Sequence, residues 1–136
     1  MRRFENKTAL VIGGANGIGA AVATRLAREG ARAVIADVDE VAGESLAARI
    51  QDEGHTAEFV ATDVRSDAAV EAAVAHAANG GGLDVAVHSA YMNTKVGILE
   101  LSRADWDEIN SVLLRSAFVM TQAALPHLVE AEDGNI

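Results

Sequence analysis

No cysteine occurs among the 136 residues, which excludes a disulfide framework and any thiolate metal site. That composition fits a reducing compartment, and a cytoplasmic location is expected. Positive charge is scarce: 11 Lys and Arg face 20 Asp and Glu, a net charge of −9 that repels nucleic-acid phosphates and anionic membranes. Neither nucleic acid nor a membrane is expected as a partner. The Met1-Arg2-Arg3 start has no apolar segment behind it, because Glu5, Asn6 and Lys7 interrupt. No uninterrupted apolar run approaches the roughly 20 residues of a membrane helix. His55, His76, His88 and His127 lack metal-ligand spacing, so no metal site is expected and solvated or capping roles suffice for them.

What is present is a chain that is half apolar, enough for one compact domain over residues 1–136. Short β-like runs alternate with helical stretches. Strands are expected at Thr8–Ile12, Ala31–Ala36, Thr56–Ala61 and Leu83–His88, and helices at Ala20–Glu29, Asp39–Asp52, Ser66–Ala78 and from about Asp105 to Glu130. Gly30, Gly54 and the Asn79-Gly80-Gly81-Gly82 run stop the first three helices, and Ser66 and Ser102 are placed to cap the third and fourth. Such alternation implies an α/β fold, a Rossmann-like doubly wound parallel sheet of strand order 3-2-1-4. Ligands bind such sheets at the carboxyl ends of the strands, where the order reverses.

One segment sits at that place with its own chemistry. Val11-Ile12-Gly13-Gly14-Ala15-Asn16-Gly17-Ile18-Gly19 breaks an apolar strand into spaced glycines and opens a helix. Gly13 permits a tight turn, Gly17 lets backbone approach a pyrophosphate, and Gly19 lets the helix pack closely. The helix N-terminus then offers free N–H groups to an anion. Asp37 follows 18 residues after Gly19, at the end of the second strand, where a carboxylate can accept both hydroxyls of an adenosine ribose. A 2′-phosphate would meet that charge, and neither Val38 nor Asp39 offers a cation to hold it. NAD is therefore the expected cofactor, and NADP is disfavoured.

These residues resemble the short-chain dehydrogenase/reductase family. Thr62-Asp63-Val64 looks like the adenine-pocket segment of that family. Leu83-Asp84-Val85-Ala86-Val87 looks like the strand before its Asn-Asn-Ala-Gly motif, here His88-Ser89-Ala90-Tyr91. The stretch from Asp105-Trp106-Asp107 to Pro126-His127-Leu128 looks like its long interface helix. The resemblance implies cofactor contacts at Gly13, Asn16, Gly17, Ile18, Gly19, Asp37, Asp63, Val64 and Ala90, and oxidoreduction of a hydroxyl or carbonyl substrate.

It also implies catalytic Ser, Tyr and Lys residues beyond Ile136. The Asp133-Gly134-Asn135-Ile136 segment looks like the lead into a fifth strand, so the expectation is an incomplete domain, truncated before or within that strand and inactive alone. Three further sites depart from the family pattern. Ile12 stands in place of a Thr, Tyr91 in place of a Gly, and Leu113, seven residues after Trp106, in place of the helix-four Asn. Leu113 cannot relay a proton, and Asn110 is rotated too far round the helix to substitute. The Tyr91–Lys95 spacing matches the family pair but lies in a loop, where the two need not meet. No catalytic residue is expected in this chain. The apolar helix over residues 103–130 calls for a partner, which makes an oligomer the expectation. The alternatives are a non-catalytic nucleotide-binding or oligomerisation module, or a fragment without activity.

Overall fold

The computed structural model describes residues 2–136. Its four strands are β1 (Thr8–Ile12), β2 (Arg32–Asp37), β3 (Ala57–Ala61) and β4 (Val85–His88), all parallel in the order β3-β2-β1-β4. β1 is buried at every position, as a central parallel strand covered on both faces must be. Its register sets Ile12 beside Ala36 of β2 and His88 of β4, so the strands end level with one another and their following loops meet.

Helices α1 (Gly17–Arg28) and α2 (Glu40–Asp52) cover one face, with Ala23, Leu26, Leu46 and Ile50 packed on Val11 and Ile35. The other face carries α3 (Asp67–Ala78) and a long helix. Val70, Val74, Val119, Met120 and Leu128 pack there on Leu10, Ile12 and Val34. The long helix comprises α4 (Arg103–Asn110), a π turn (Ser111–Arg115) and α5 (Ser116–Glu130). At the π turn the Ser116 N–H reaches back to the Ser111 carbonyl, five residues away.

The capping chemistry works as the sequence implies. Ser66 Oγ accepts from the Ala69 N–H at 3.3 Å and Ser102 Oγ from the Asp105 N–H at 3.0 Å, while Asp39 caps α2 through Ala42. Several boundaries shift by a residue or two, and three differences are larger or have a local cause. Helix α1 starts at Gly17, three residues before the expected Ala20, because the glycines that weaken helix propensity are here the first helical turn. β4 starts at Val85 and not Leu83, since Asp84 turns its carboxylate to the Thr8 N–H (2.8 Å) and to Lys7 (3.0 Å). The fourth helix is interrupted by the π turn, which nothing in the local apolar pattern marks.

Beyond α5 the chain returns to the sheet. Asn135 bridges Val85 in parallel, with its N–H on the Asp84 carbonyl at 2.9 Å. The helix over Arg103–Glu130 is, by length and composition, long and apolar enough to cross a membrane, although no uninterrupted apolar run reaches that length. Its apolar character has a local cause: one side is a layer of the sheet core, and Arg115, midway, pairs with Asp67 of α3. The opposite side leaves Trp106, Leu114, Phe118, Leu125 and Val129 exposed.

Candidate functional site

The carboxyl ends of all four strands open into one cleft of about 570 Å³, within the usual size of a small-molecule site. Gly13, Asn16, Gly17, Ile18, Asp37, Asp63, Val64 and Ala90, separated by up to 77 positions in sequence, all line it. Gly19 does not. It lies beneath the turn, where a Cβ would run into the Gly13 carbonyl, so its part is to let α1 seat against the turn itself.

The glycine turn is stitched from both sides. The Gly13 N–H donates to the Ala36 carbonyl at 2.8 Å and the Ser89 N–H to the Ile12 carbonyl at 2.7 Å. Gly13 has φ +74°, and a Cβ on it would strike the backbone of Ala90. Ile12, where the family carries a Thr, is wholly buried in the core and offers nothing to the cleft. Gly17, at φ +55°, has open space where a side chain would stand. Asn16 precedes α1 without capping it; its side chain donates instead to Asp39 at 3.2 Å. The N–H groups of Gly17, Ile18 and Gly19 therefore carry no hydrogen bond among the described residues. Free N–H groups at a helix N-terminus, with open space over Gly17, suit an anion.

At the β2 end, Asp37 is held by the loop it faces: Oδ2 accepts from the Ala15 N–H at 2.9 Å and Oδ1 from the Asp39 N–H at 3.1 Å. Each oxygen keeps capacity for another donor. Beyond it, Asp63 is gripped by Arg65, which also reaches Glu108 of α4 at 3.1 Å. The Arg65 side chain, and then its backbone N–H, hold the Asp63 carboxyl below the usual carboxylate range; the same pairing raises the Arg65 guanidinium. Arg65 and Glu108 line the cleft and were absent from the residues expected there. Arg65 is within reach of a sequence argument, two positions from Asp63, whereas Glu108 meets it only through the packing of α4.

At the β4 end, Ala90 lies against the glycine turn and Tyr91, 73% exposed, lines the cleft beside it. Val112 lines it too, while Leu113 lies outside and partly exposed, so the helix presents no polar side chain at that place. Asn110 turns back along its own helix, Nδ2 donating to the Trp106 carbonyl at 2.8 Å. Among the described residues no hydrogen bond joins Tyr91 to Lys95, and no cluster of metal-ligating side chains exists.

His88 needs correcting from a solvated or capping residue. It is half-buried, with Nε2 2.7 Å from the Oγ of Ser116, and burial lowers its pKa. Ser116 in turn donates to the Val112 carbonyl at 2.6 Å. Because the π turn sends the Ser116 N–H to Ser111, this hydroxyl satisfies the Val112 carbonyl that an α-helical bond would have used. With that proton committed, Ser116 Oγ accepts from His88, which fixes a proton on Nε2.

Comparison with known proteins gives this geometry a family. The short chain dehydrogenase model matches residues 7–136. The chain is 38% identical over 135 residues to D-threitol dehydrogenase of Mycolicibacterium smegmatis, covering 98% of this chain and 52% of that protein. Among solved structures, a dehydrogenase/reductase from Sinorhizobium meliloti superposes with a TM-score of 0.88 at 36% identity, over 91% of this chain and 50% of that one. A short chain dehydrogenase from Burkholderia cenocepacia, in complex with NADP, gives the same TM-score and identity over 93% of this chain and 52% of its own. The chain thus spans about half the length of the curated relatives it matches. Parallel order, glycine turn and sequence match agree: the chain belongs to the short-chain dehydrogenase/reductase family, whose members bind a nicotinamide dinucleotide.

Proposed function

We propose that residues 1–136 form the cofactor-binding domain of a dehydrogenase that interconverts a hydroxyl and a carbonyl group, with NAD preferred over NADP. The observation that carries this is the unpaired first turn of α1 under the bare surface of Gly17, with Asp37 beside it. The residues fit the group's adenosine and pyrophosphate portions. The N–H groups of Gly17, Ile18 and Gly19 would hold the pyrophosphate. Asp37, oriented by the Ala15 and Asp39 N–H groups, would accept from the ribose hydroxyls and repel a 2′-phosphate. Asp63 and Val64 would border the base, and Ala90 would let the chain beyond the pyrophosphate pass close to β4.

When bound, the nicotinamide supplies hydride transfer. This chain's own residues supply position: Tyr91 and Val112 flank the β4 end, and among the described residues no side chain hydrogen-bonds the Tyr91 phenol to act as its base, so the chain alone would not turn over an alcohol. A second reading, a non-catalytic module that assembles with another subunit, rests on the exposed Leu114, Phe118, Leu125 and Val129.

Calorimetric titration with NAD, NADP and adenosine diphosphate ribose tests both. NAD and adenosine diphosphate ribose should bind alike, and NADP at least ~10-fold more weakly, about 1.4 kcal/mol. Equal binding of NADP would refute the assignment to Asp37. No binding by a folded chain would favour the second reading, which sedimentation would then examine, and turnover of an alcohol by the purified chain would refute the inactive role.

A further inference from the structure

Asp63 stands at the β3 end of the cleft, one strand beyond Asp37, to whose carbonyl the Thr62 N–H donates at 2.8 Å. An adenosine whose ribose lies at Asp37 would bring its base to this end. The Asp63 carboxylate, however, is taken up by a single residue. Its Oδ1 accepts the Arg65 backbone N–H at 3.0 Å and Nε at 2.9 Å; its Oδ2 accepts Nε at 3.1 Å and Nη2 at 2.6 Å. These four contacts come from three N–H donors, Nε being shared between the two oxygens, so a ligand's N–H must compete with Arg65 for most of the carboxylate's lone pairs. Arg65 has a second anchor in the same cleft. Its Nη1 meets Glu108 Oε1 at 3.1 Å, across from the β3–α3 loop on α4. A side chain with two carboxylates to choose between can leave one without being left unpaired.

We propose that Arg65 sets the base selectivity of this cleft, by competing with the exocyclic amino group of a purine for Asp63. The inference rests on the reading that an adenosine moiety occupies this end. While Arg65 holds Asp63, the wall shows guanidinium donors and a carboxylate already engaged on both oxygens. Adenine, with an amino group at C6, then gains nothing over unsubstituted purine, which carries only hydrogen there. When Arg65 moves wholly onto Glu108, Asp63 is free and adenine is favoured. Exposed ion pairs of this kind are weak, so the competition should be worth about two- to five-fold in affinity, not orders of magnitude.

Adenosine diphosphate ribose and its analogue with unsubstituted purine as the base differ only at that position, and their affinity ratio removes any effect of Arg65 on the shared pyrophosphate. For the unaltered chain the two should bind within about two-fold. Arg65→Ala should raise the preference for the adenine ligand to about five-fold, and Arg65→Met, which keeps much of the apolar stem, should do the same, so that a folding defect in one variant leaves the other to decide. Glu108→Gln removes the second anchor and should weaken adenosine diphosphate ribose about two-fold with Arg65 present, and have no effect in an Arg65→Ala background. A folded Arg65 variant that binds both ligands with an unchanged ratio would overturn the inference and leave the cofactor reading standing. Failure of the unaltered, folded chain to bind either ligand would overturn both.

Discussion

The two ends of the cleft are built by different means. Around Asp37 the wall is held by carboxylate-to-backbone bonds from the loops that flank it, Ala15 on one side and Asp39 on the other, above strands with almost no exposure. Around Ala90 and Tyr91 it depends on distant pieces of chain. His88 leans on Ser116, 28 residues away, the segment after β4 has no regular structure, and α4 buries none of its residues. The first end is stiff because each polar group has a partner fixed by the same turn. The second is only as well placed as a helix that touches the core through Val112 and the residues after it. Gly13 touches both, through its N–H on the Ala36 carbonyl and its contact with the backbone of Ala90.

Gly13→Ala would therefore break the comparison most strongly. A Cβ there adds left-handed backbone strain and drives the β4 segment off the turn, for a combined cost of about 2–4 kcal/mol in chemical denaturation. A cost below ~1 kcal/mol would mean that the two ends move independently. Ser116→Ala acts on the β4 end alone. It leaves the Val112 carbonyl and the His88 Nε2–H without partners in a site 1% exposed, and should cost about 1–3 kcal/mol while adenosine diphosphate ribose affinity stays unchanged. Asp37→Asn acts on the other end. Exchanging a charged acceptor for a neutral one should cost about 1 kcal/mol of stability and narrow the NAD preference by about ten-fold in titration.

The same division governs what could be read from the residues. The glycine turn, Asp37 and the Ser66 and Ser102 caps are local devices, in which spacing within a few positions determines geometry, and each lies where spacing implies. The strand order follows from alternation of short elements, because parallel strands need crossovers of one hand. Arg65 with Glu108 and His88 with Ser116 are 43 and 28 positions apart and meet only after the sheet and the long helix have packed. The π turn belongs to this second group. Its orphan carbonyl is satisfied by a serine whose neighbours in sequence are mostly apolar, so nothing local marks it. Leu113 shows the limit from the other direction: its place relative to Trp106 was countable, but that the cleft receives Val112 instead depends on helix packing.

The exposed face of the long helix sharpens the contrast further, with a smaller effect. Phe118→Lys should change monomer stability by no more than about 0.5 kcal/mol, because the ring is 61% exposed. A shift to a smaller sedimenting species would show that this face is covered by a partner. If the chain sediments identically with and without the substitution, the face carries no contact.

The smallest effect is the pH dependence contributed by His88. Burial lowers its pKa in the folded chain below the 6.5 of a free imidazole. Between those two values the unfolded chain binds the extra proton and the folded chain does not, so stability rises with pH across that interval and is lost as pH falls from 6.5 toward the folded value. The slope cannot exceed one proton, about 1.4 kcal/mol per pH unit. Carboxylates act in a separate, more acidic window. Glu29, which Arg3 and Arg25 hold at about 2, stabilises the fold above its ordinary value of 4.5 and loses that contribution as pH falls toward 2. His88→Gln carries a side-chain N–H toward Ser116 at the place of Nε2 but cannot titrate. Urea unfolding at intervals from pH 7.5 to 3 should show the slope flattened between pH 7.5 and 5 in that variant and the limb below pH 4.5 unchanged. An identical slope in both chains would mean that His88 is solvated when folded, and the β4 end would then be looser than its bond to Ser116 implies.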